Sequence, residues 1–168
     1  MKRIFAIGLI TVGILLTSGA LAWVYFNNRV EPAAALSLPD SIAGLPITSY
    51  TTGQEAITEV EKLHGKAFPI SLASIGVYGN YEITLWATGA PSETFAAEMT
   101  NAMQEKIAAG NSPFTPMNEI NNNGRKVHVL EGMGQRHYYF QSEKLVIWLA
   151  VDPALADTAI QQTLELYP

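Results

Sequence analysis

The side chains best suited to acid–base or metal chemistry in this sequence are three histidines, His64, His128 and His137. A zinc site made of three histidines would need all of them to meet at one point. His64 closes a predicted helix, where a cationic ring interacts favourably with the helix dipole. His128 and His137 flank the segment Gly132–Gly134, which predicts the turn of a β-hairpin.

The length of that turn decides whether these two histidines share a face of the sheet. A three-residue turn places His137 opposite Val129 and His128 opposite Tyr138, so the histidines point to opposite faces. A two-residue turn would reverse this, because a slip of one residue flips every side chain. We expect the three-residue turn, and therefore no metal site.

His137 belongs to the stretch "GMGQRHYYF", Gly132–Phe140, in which three aromatic rings follow the histidine. An active site, a ligand-binding surface and the core of a hairpin are the three interpretations, and we favour the core. One face of the expected sheet carries Val127, Val129, His137, Tyr139, Val146 and Trp148. The other carries Leu130, Tyr138, Phe140, Leu145, Ile147 and Leu149. Both sets are largely apolar, as in a strand covered on both sides, so His137 is expected to be neutral and hydrogen-bonded.

A second interpretation is that another molecule covers part of this apolar surface. The candidate contact residues for a partner or ligand are Phe114, His137, Tyr138, Tyr139 and Trp148. Phe114 is the apolar ring of the proline-bracketed loop "GNSPFTP", Gly110–Pro116. It either packs into the core or is presented to a partner by a rigid loop, and the sequence leaves both interpretations open.

The sequence gives no positive sign of catalysis. It has no Gly-x-Ser-x-Gly nucleophile motif, no phosphate-binding loop and no dinucleotide fingerprint. It has no cysteine, which excludes disulfides, thiol nucleophiles, a lipid-modified cysteine and c-type haem attachment. Most of the acidic residues fall on predicted helix surfaces. We expect a protein without enzymatic activity, cofactor or metal.

The first 29 residues have the composition of a membrane anchor. Residues 4–26 form an uncharged run of 23 residues, and about 20 are needed to cross a bilayer as a helix. Lys2 and Arg3 favour a cytoplasmic N-terminus, and Trp23, Tyr25 and Phe26 are expected at the far membrane interface. A cleaved signal peptide ending near residues 20–22 is the rival interpretation. Both place the remaining chain outside the cell membrane, in the periplasm or the extracellular space.

The exterior part is acidic. Residues 31–168 contain seven Lys or Arg and fifteen Asp or Glu, a difference of −8. Phosphate backbones attract the opposite sign, so nucleic acid is not an expected partner. The expected contacts are the lipid bilayer through residues 4–26 and other subunits of a membrane complex.

The elements that would position the candidate residues follow from local patterns. Residues 30–44 predict a tether, and residues 45–168 the exterior domain, beginning with a strand at 45–50. A helix follows, with Thr52 and Glu55 in capping-box spacing and Gly65 as its end. Its apolar stripe consists of Ala56, Ile57, Val60 and Leu63. A later helix, 92–109, would cover the sheet with Phe95, Met99, Ala102 and Met103.

A weak internal repeat with an offset of 62 residues organises the rest. Trp86 matches Trp148, Pro91 matches Pro153, and the turn residues 79–80 match 141–142. Each unit predicts a hairpin whose second strand bears a tryptophan, followed by a helix opened by proline. Asp152 is a good N-cap for the second helix, whereas Ala90 is a poor one for the first. Residues 123–124, Asn-Gly, predict a further hairpin turn.

The expected fold is α+β, a mainly antiparallel sheet with covering helices and a possible ββα repeat, preceded by one transmembrane helix. The expected function is a non-catalytic, single-pass accessory or assembly subunit of a larger membrane or envelope complex. The alternative is a membrane-tethered binding domain that captures a small molecule or peptide beside Tyr138, Tyr139 and Trp148.

Overall fold

The computed structural model describes residues 36–65, 69–110 and 112–168. The predicted anchor, 1–29, and its interfacial residues Trp23, Tyr25 and Phe26 lie outside these ranges. The described strands are β1 Ser41–Ile42, β2 Leu45–Thr52, β3 Leu72–Tyr78, β4 Ile83–Gly89, β5 Thr115–Asn122, β6 Arg125–Gly132, β7 Gln135–Ser142 and β8 Leu145–Val151. The described α-helices are α1 Gly53–His64, α2 Glu93–Ala108 and α3 Ala156–Leu166, the last preceded by a 3₁₀ turn, Pro153–Leu155.

The eight strands form a single antiparallel sheet in the order β1-β2-β3-β4-β8-β7-β6-β5. The α+β class and the mainly antiparallel sheet with covering helices are therefore confirmed. The central pair is β4 and β8, on which Trp86 lies directly opposite Trp148. We call the side that carries both indoles the tryptophan face, and the opposite side the α3 face.

Different elements cover the two faces. On the tryptophan face, α1 packs on β3 through Ala56, Ile57 and Val60, and α2 packs on the other half of the sheet through Phe95, Met99 and Met103. The α3 face carries the larger core, which α3 covers with residues such as Ile160 and Leu164. This division explains why both faces of the central strands are apolar.

The last residues of the predicted tether pack on the α3 face. Ile42 is fully buried, and Leu36 and Leu38 contact the same core. The Ser74 hydroxyl donates to the carbonyl oxygen of Leu36 at 2.8 Å, and the Tyr78 hydroxyl donates to that of Pro39 at 3.0 Å. The chain from Leu36 onward is therefore part of the folded unit, and it supplies cover that the helices do not.

Helix α1 begins and ends where the sequence indicates, with two local differences. Thr52 is the N-cap residue, but its side chain makes no capping hydrogen bond, so the expected capping box does not form. Gly65 ends the helix in a left-handed conformation, as predicted. Leu63, the last member of the predicted apolar stripe, is 70% exposed. The final turn of α1 thus carries an apolar side chain that the sheet does not cover.

Helix α2 is capped by Ser92, whose hydroxyl oxygen accepts a hydrogen bond from the Phe95 N–H at 3.2 Å. Pro91 therefore precedes the cap and does not open the helix, which corrects the predicted alignment. Asp152 does precede the 3₁₀ turn, with Pro153 in its first position, but its side chain makes no capping hydrogen bond.

Arg125 closes the opposite end of α3. Its guanidinium donates to the carbonyl oxygens of Tyr167 and Leu164, the latter at 3.3 Å. The same group lies 5.0 Å from the centre of the Phe140 ring. Cations at a helix C-terminus and over an aromatic face are both stabilising, so Arg125 ties β6 to α3.

The hairpin of β6 and β7 corrects the predicted register. Gly132 pairs with Gln135, so the turn has two residues, Met133 and Gly134, with φ of 54° and 80°. His128 then lies opposite Tyr139, and both His128 and His137 point to the tryptophan face. Val127 and Val129 change face as well and join the α3-face core, whereas Leu130 moves to the tryptophan face and packs with Tyr139.

The strands that carry the tryptophans keep the offset of the possible repeat, and the helices that follow them do not. Strand β4 shifted by 62 residues coincides with β8, and Trp86 and Trp148 are both half-buried. The turn landmark fails, because four residues join β3 to β4 whereas residues 143–144 join β7 to β8. The helices that follow the two strands, α2 and α3, cover opposite faces.

Candidate functional site

The structure brings four of the five candidate contact residues into one group on the tryptophan face. We call this group, with His128 added, the aromatic cluster: Phe114, His128, His137, Tyr139 and Trp148. Tyr139 stacks on Trp148 at 5.3 Å and on His128 at 4.4 Å, with interplanar angles of 12° and 10°. The fifth candidate, Tyr138, is buried on the α3 face and takes no part.

Both nitrogens of His137 are engaged. The Trp148 indole N–H can only donate, and it lies 3.1 Å from His137 Nδ1, so Nδ1 is the acceptor and unprotonated. The proton is then on Nε2, which donates to the carbonyl oxygen of Gly132 at 3.0 Å. Burial lowers the pKa of His137, with the Gly132 carbonyl opposing the shift. The ring is therefore held as one neutral tautomer and has no nitrogen left for a substrate proton.

Phe114 closes the cluster from the loop before β5. Its ring lies 4.6 Å from His137 in an edge contact and 5.1 Å from Trp148. Gly132 makes this approach possible, because a Cβ there would lie 2.6 Å from the Phe114 ring and 2.8 Å from the Pro113 carbonyl oxygen. The loop thus packs Phe114 inward. Gly132 is not at a positive φ, so its role is close approach and not turn geometry.

A polar group adjoins the cluster at His128. Glu119 on β5 accepts from His128 Nδ1 at 3.1 Å and from the Gln104 amide at 3.3 Å, and pairs with Lys126 at 3.2 Å. Burial lowers the pKa of His128 although the Glu119 carboxylate opposes the shift. Gln104, Lys126 and His128 line an open groove of about 1020 Å³ beside α2.

A second groove lies on the half of the tryptophan face that carries Trp86, and the sequence did not predict it. Ile75, Val77, Thr84 and Trp86 form its floor, Leu63 of α1 forms a wall, and Tyr81 stands at the β3–β4 turn. We call this the Trp86 groove; its volume is about 620 Å³. Leu63 and Tyr81 are 70% and 71% exposed. The available signal was the apolar stripe of α1, which continues to Leu63 at its C-terminal end.

In the described ranges, no three His, Cys, Asp or Glu side chains are grouped to hold a metal ion. His64, the third histidine, lies at the end of α1, where its Nδ1 is 2.8 Å from the Val60 carbonyl oxygen. None of the helices within residues 36–65, 69–110 and 112–168 has the length and hydropathy to cross a bilayer.

No family model, no curated protein and no solved structure matches this chain. The described residues form an α+β domain whose tryptophan face carries an open, largely apolar groove.

Proposed function

We propose that the protein is a non-catalytic, membrane-anchored accessory subunit of a larger membrane or envelope complex, and that its exterior domain binds a partner protein through the Trp86 groove. The observation that carries this proposal is the exposure of Leu63 and Tyr81 beside the half-buried Trp86. Isolated exposed apolar side chains are ordinary, but a contiguous group of them around a groove is typical of an interaction site.

The chemistry of the groove supports a protein partner. Its floor combines aliphatic and aromatic side chains, and Glu59 and Lys62 add one charge of each sign. Interface centres are enriched in aromatic residues and depleted in charge, with polar groups at the rim. Tryptophan and tyrosine are also the residues that most often dominate binding energy.

A co-purification experiment tests the proposal. The tagged full-length chain, gently solubilised from its own membranes, is expected to retain a partner in fixed stoichiometry. Leu63→Glu places a charge at the groove and should release that partner, whereas Leu166→Glu, an exposed leucine on α3, should retain it. Thermal unfolding of both variants verifies the fold. A chain that purifies alone, or a partner lost equally from both variants, would refute the proposal.

The size of the same groove favours a second candidate function, capture of a small apolar ligand. Its volume of about 620 Å³ lies within the range of small-molecule sites, roughly 300–1,000 Å³. It replaces the location first expected, since Phe114 covers the part of the cluster at Trp148 and Tyr138 lies on the other face. A ligand receptor would purify without a partner and gain thermal stability with its ligand, an increase that Leu63→Glu abolishes.

A further inference from the structure

Strand β5 ends the sheet, and no described strand lies along its outer side. Its first seven residues are exposed, and they include Met117 and Ile120. The outer backbone groups of an edge strand can pair with another chain unless charges, prolines or bulges prevent it. The question is therefore which of these protections β5 has.

The protections of β5 are confined to its first half. Pro116 cannot donate a backbone hydrogen bond, and the register shifts between Pro116 and Asn118 as in a β-bulge. The strand has one charged residue, Glu119. Its carboxylate is held within the chain by Lys126 and His128, so it does not present a free charge along the edge. Residues 118–122 remain as a regular stretch open to pairing.

The register of that stretch suits a second copy of the same chain. Residues opposite one another in a sheet share a face, so two copies of β5 related by a two-fold axis pair about a single residue. Pairing about Glu119 would bring two carboxylates together. Pairing about Asn121 would lose part of the stretch. Pairing about Ile120, the midpoint of residues 118–122, uses all five residues.

We propose that two copies of this protein associate through antiparallel pairing of their β5 strands, centred on Ile120. Ile120 then lies opposite Ile120 of the second copy, Asn118 opposite Asn122, and Glu119 opposite Asn121, so no like charges face each other. Ile120, 38% exposed on the α3 face, gains an apolar cross-strand contact. The two sheets become one continuous sheet. This surface is separate from the Trp86 groove.

An interface of five paired residues is small, so covalent trapping is the appropriate measurement. The chain has no cysteine, and each introduced cysteine therefore reports on a single position. Directly opposite residues have Cα atoms about 4.5–5.5 Å apart, within the range of a disulfide. In the full-length protein in membranes, Ile120→Cys should cross-link to itself under mild oxidation. Its rate should exceed that of Met133→Cys, an exposed turn residue, by at least about tenfold.

The neighbouring positions test the register. Asn118→Cys and Asn122→Cys should each fail to cross-link alone, since like positions would lie about 14 Å apart along the strands. A mixture of the two should cross-link. Ile120→Lys should abolish association of the full-length chain in sedimentation experiments while its circular dichroism spectrum stays that of the wild type. The double variant Leu63→Glu/Ile120→Cys should cross-link at the same rate as Ile120→Cys alone. This result would separate the β5 dimer from binding at the Trp86 groove.

Three results would overturn the dimer. Ile120→Cys and Met133→Cys could react at equal rates, Asn118→Cys alone could react as fast as the mixture, or Ile120→Cys could join a different protein. The last result would assign the β5 edge to a heterologous strand.

Discussion

Replacing His137 by phenylalanine isolates the polar role of this histidine, because the ring stays and both hydrogen bonds go. His137 is 4% exposed, and it connects the Trp148 indole to the Gly132 carbonyl. A buried polar group that loses its partner costs about 1–3 kcal/mol. Trp148 and Gly132 are both half-buried, so we take about 1 kcal/mol for each and expect His137→Phe to lower the free energy of unfolding by about 2 kcal/mol.

His137→Gln should cost less, about 1–2 kcal/mol, because an amide can remake one of the two hydrogen bonds but loses the edge contact with Phe114. Urea unfolding followed by tryptophan fluorescence measures both changes, and an unchanged m-value shows that the unfolded states are comparable. Gln161→Ala, at an exposed position of α3, is the control and should change the free energy by less than about 0.5 kcal/mol.

His137→Phe should lower the free energy of unfolding more than His137→Gln does, and this ranking tests the role of the two hydrogen bonds. Wild-type stability in His137→Phe would show that the two hydrogen bonds make no net contribution to the free energy of unfolding. Full stability in both variants together with lost partner binding would instead place His137 in a functional site.

Three further predictions follow from the same cluster and its surroundings. The pKa values of the two cluster histidines are lowered on folding, so stability should be complete above about pH 6.5, the unfolded-state pKa, and fall as the pH drops below it. Thermal midpoints against pH measure this, and His137→Phe should flatten the slope; a steeper slope contradicts the sign. Gly132→Ala should lower the free energy of unfolding by about 1–3 kcal/mol, since the new Cβ meets the Phe114 ring. Chemical denaturation measures this change, and an unchanged free energy would contradict the contact. Arg125→Met should cost about 1–3 kcal/mol by calorimetry, whereas its neighbour Lys126→Met, which loses an exposed ion pair, should cost less than about 1 kcal/mol; equal losses would show that Arg125 does not cap α3.

The hairpin register shows where sequence reasoning stops. The alternation of β6 and β7 fits a two-residue and a three-residue turn equally well, so the turn alone decides the faces. The Asn123–Gly124 turn was predicted correctly, and its φ values of 53° and 85° are close to the 54° and 80° of Met133–Gly134. Asparagine often adopts a positive φ, so Asn-Gly predicts a two-residue turn, whereas Met-Gly gives no such signal. The missing signal placed His128 on the wrong face.

The cover of the sheet was underestimated for a different reason. Residues 36–44 contain proline and lack periodicity, which is typical of a tether. Their contacts with β3 depend on individual groups, such as the Ser74 and Tyr78 hydroxyls, and these have no periodic pattern. Hydrophobic periodicity does not predict a segment that packs by such contacts. Without residues 36–44, more of the sheet is expected to be exposed than the structure shows.

The Trp86 groove follows from the failure of the repeat in the helices. The local two-fold relation of β4 and β8 puts Trp86 and Trp148 in corresponding positions on one face. After β4, however, α2 crosses to the other half of the sheet and packs on β7 and β8, so the side of Trp148 is covered by α2 and Phe114. The side of Trp86 has α1 alone, whose last turn leaves Leu63 exposed. The two corresponding tryptophans therefore have different surroundings: Trp148 packs within the aromatic cluster, and Trp86 lies at an open groove.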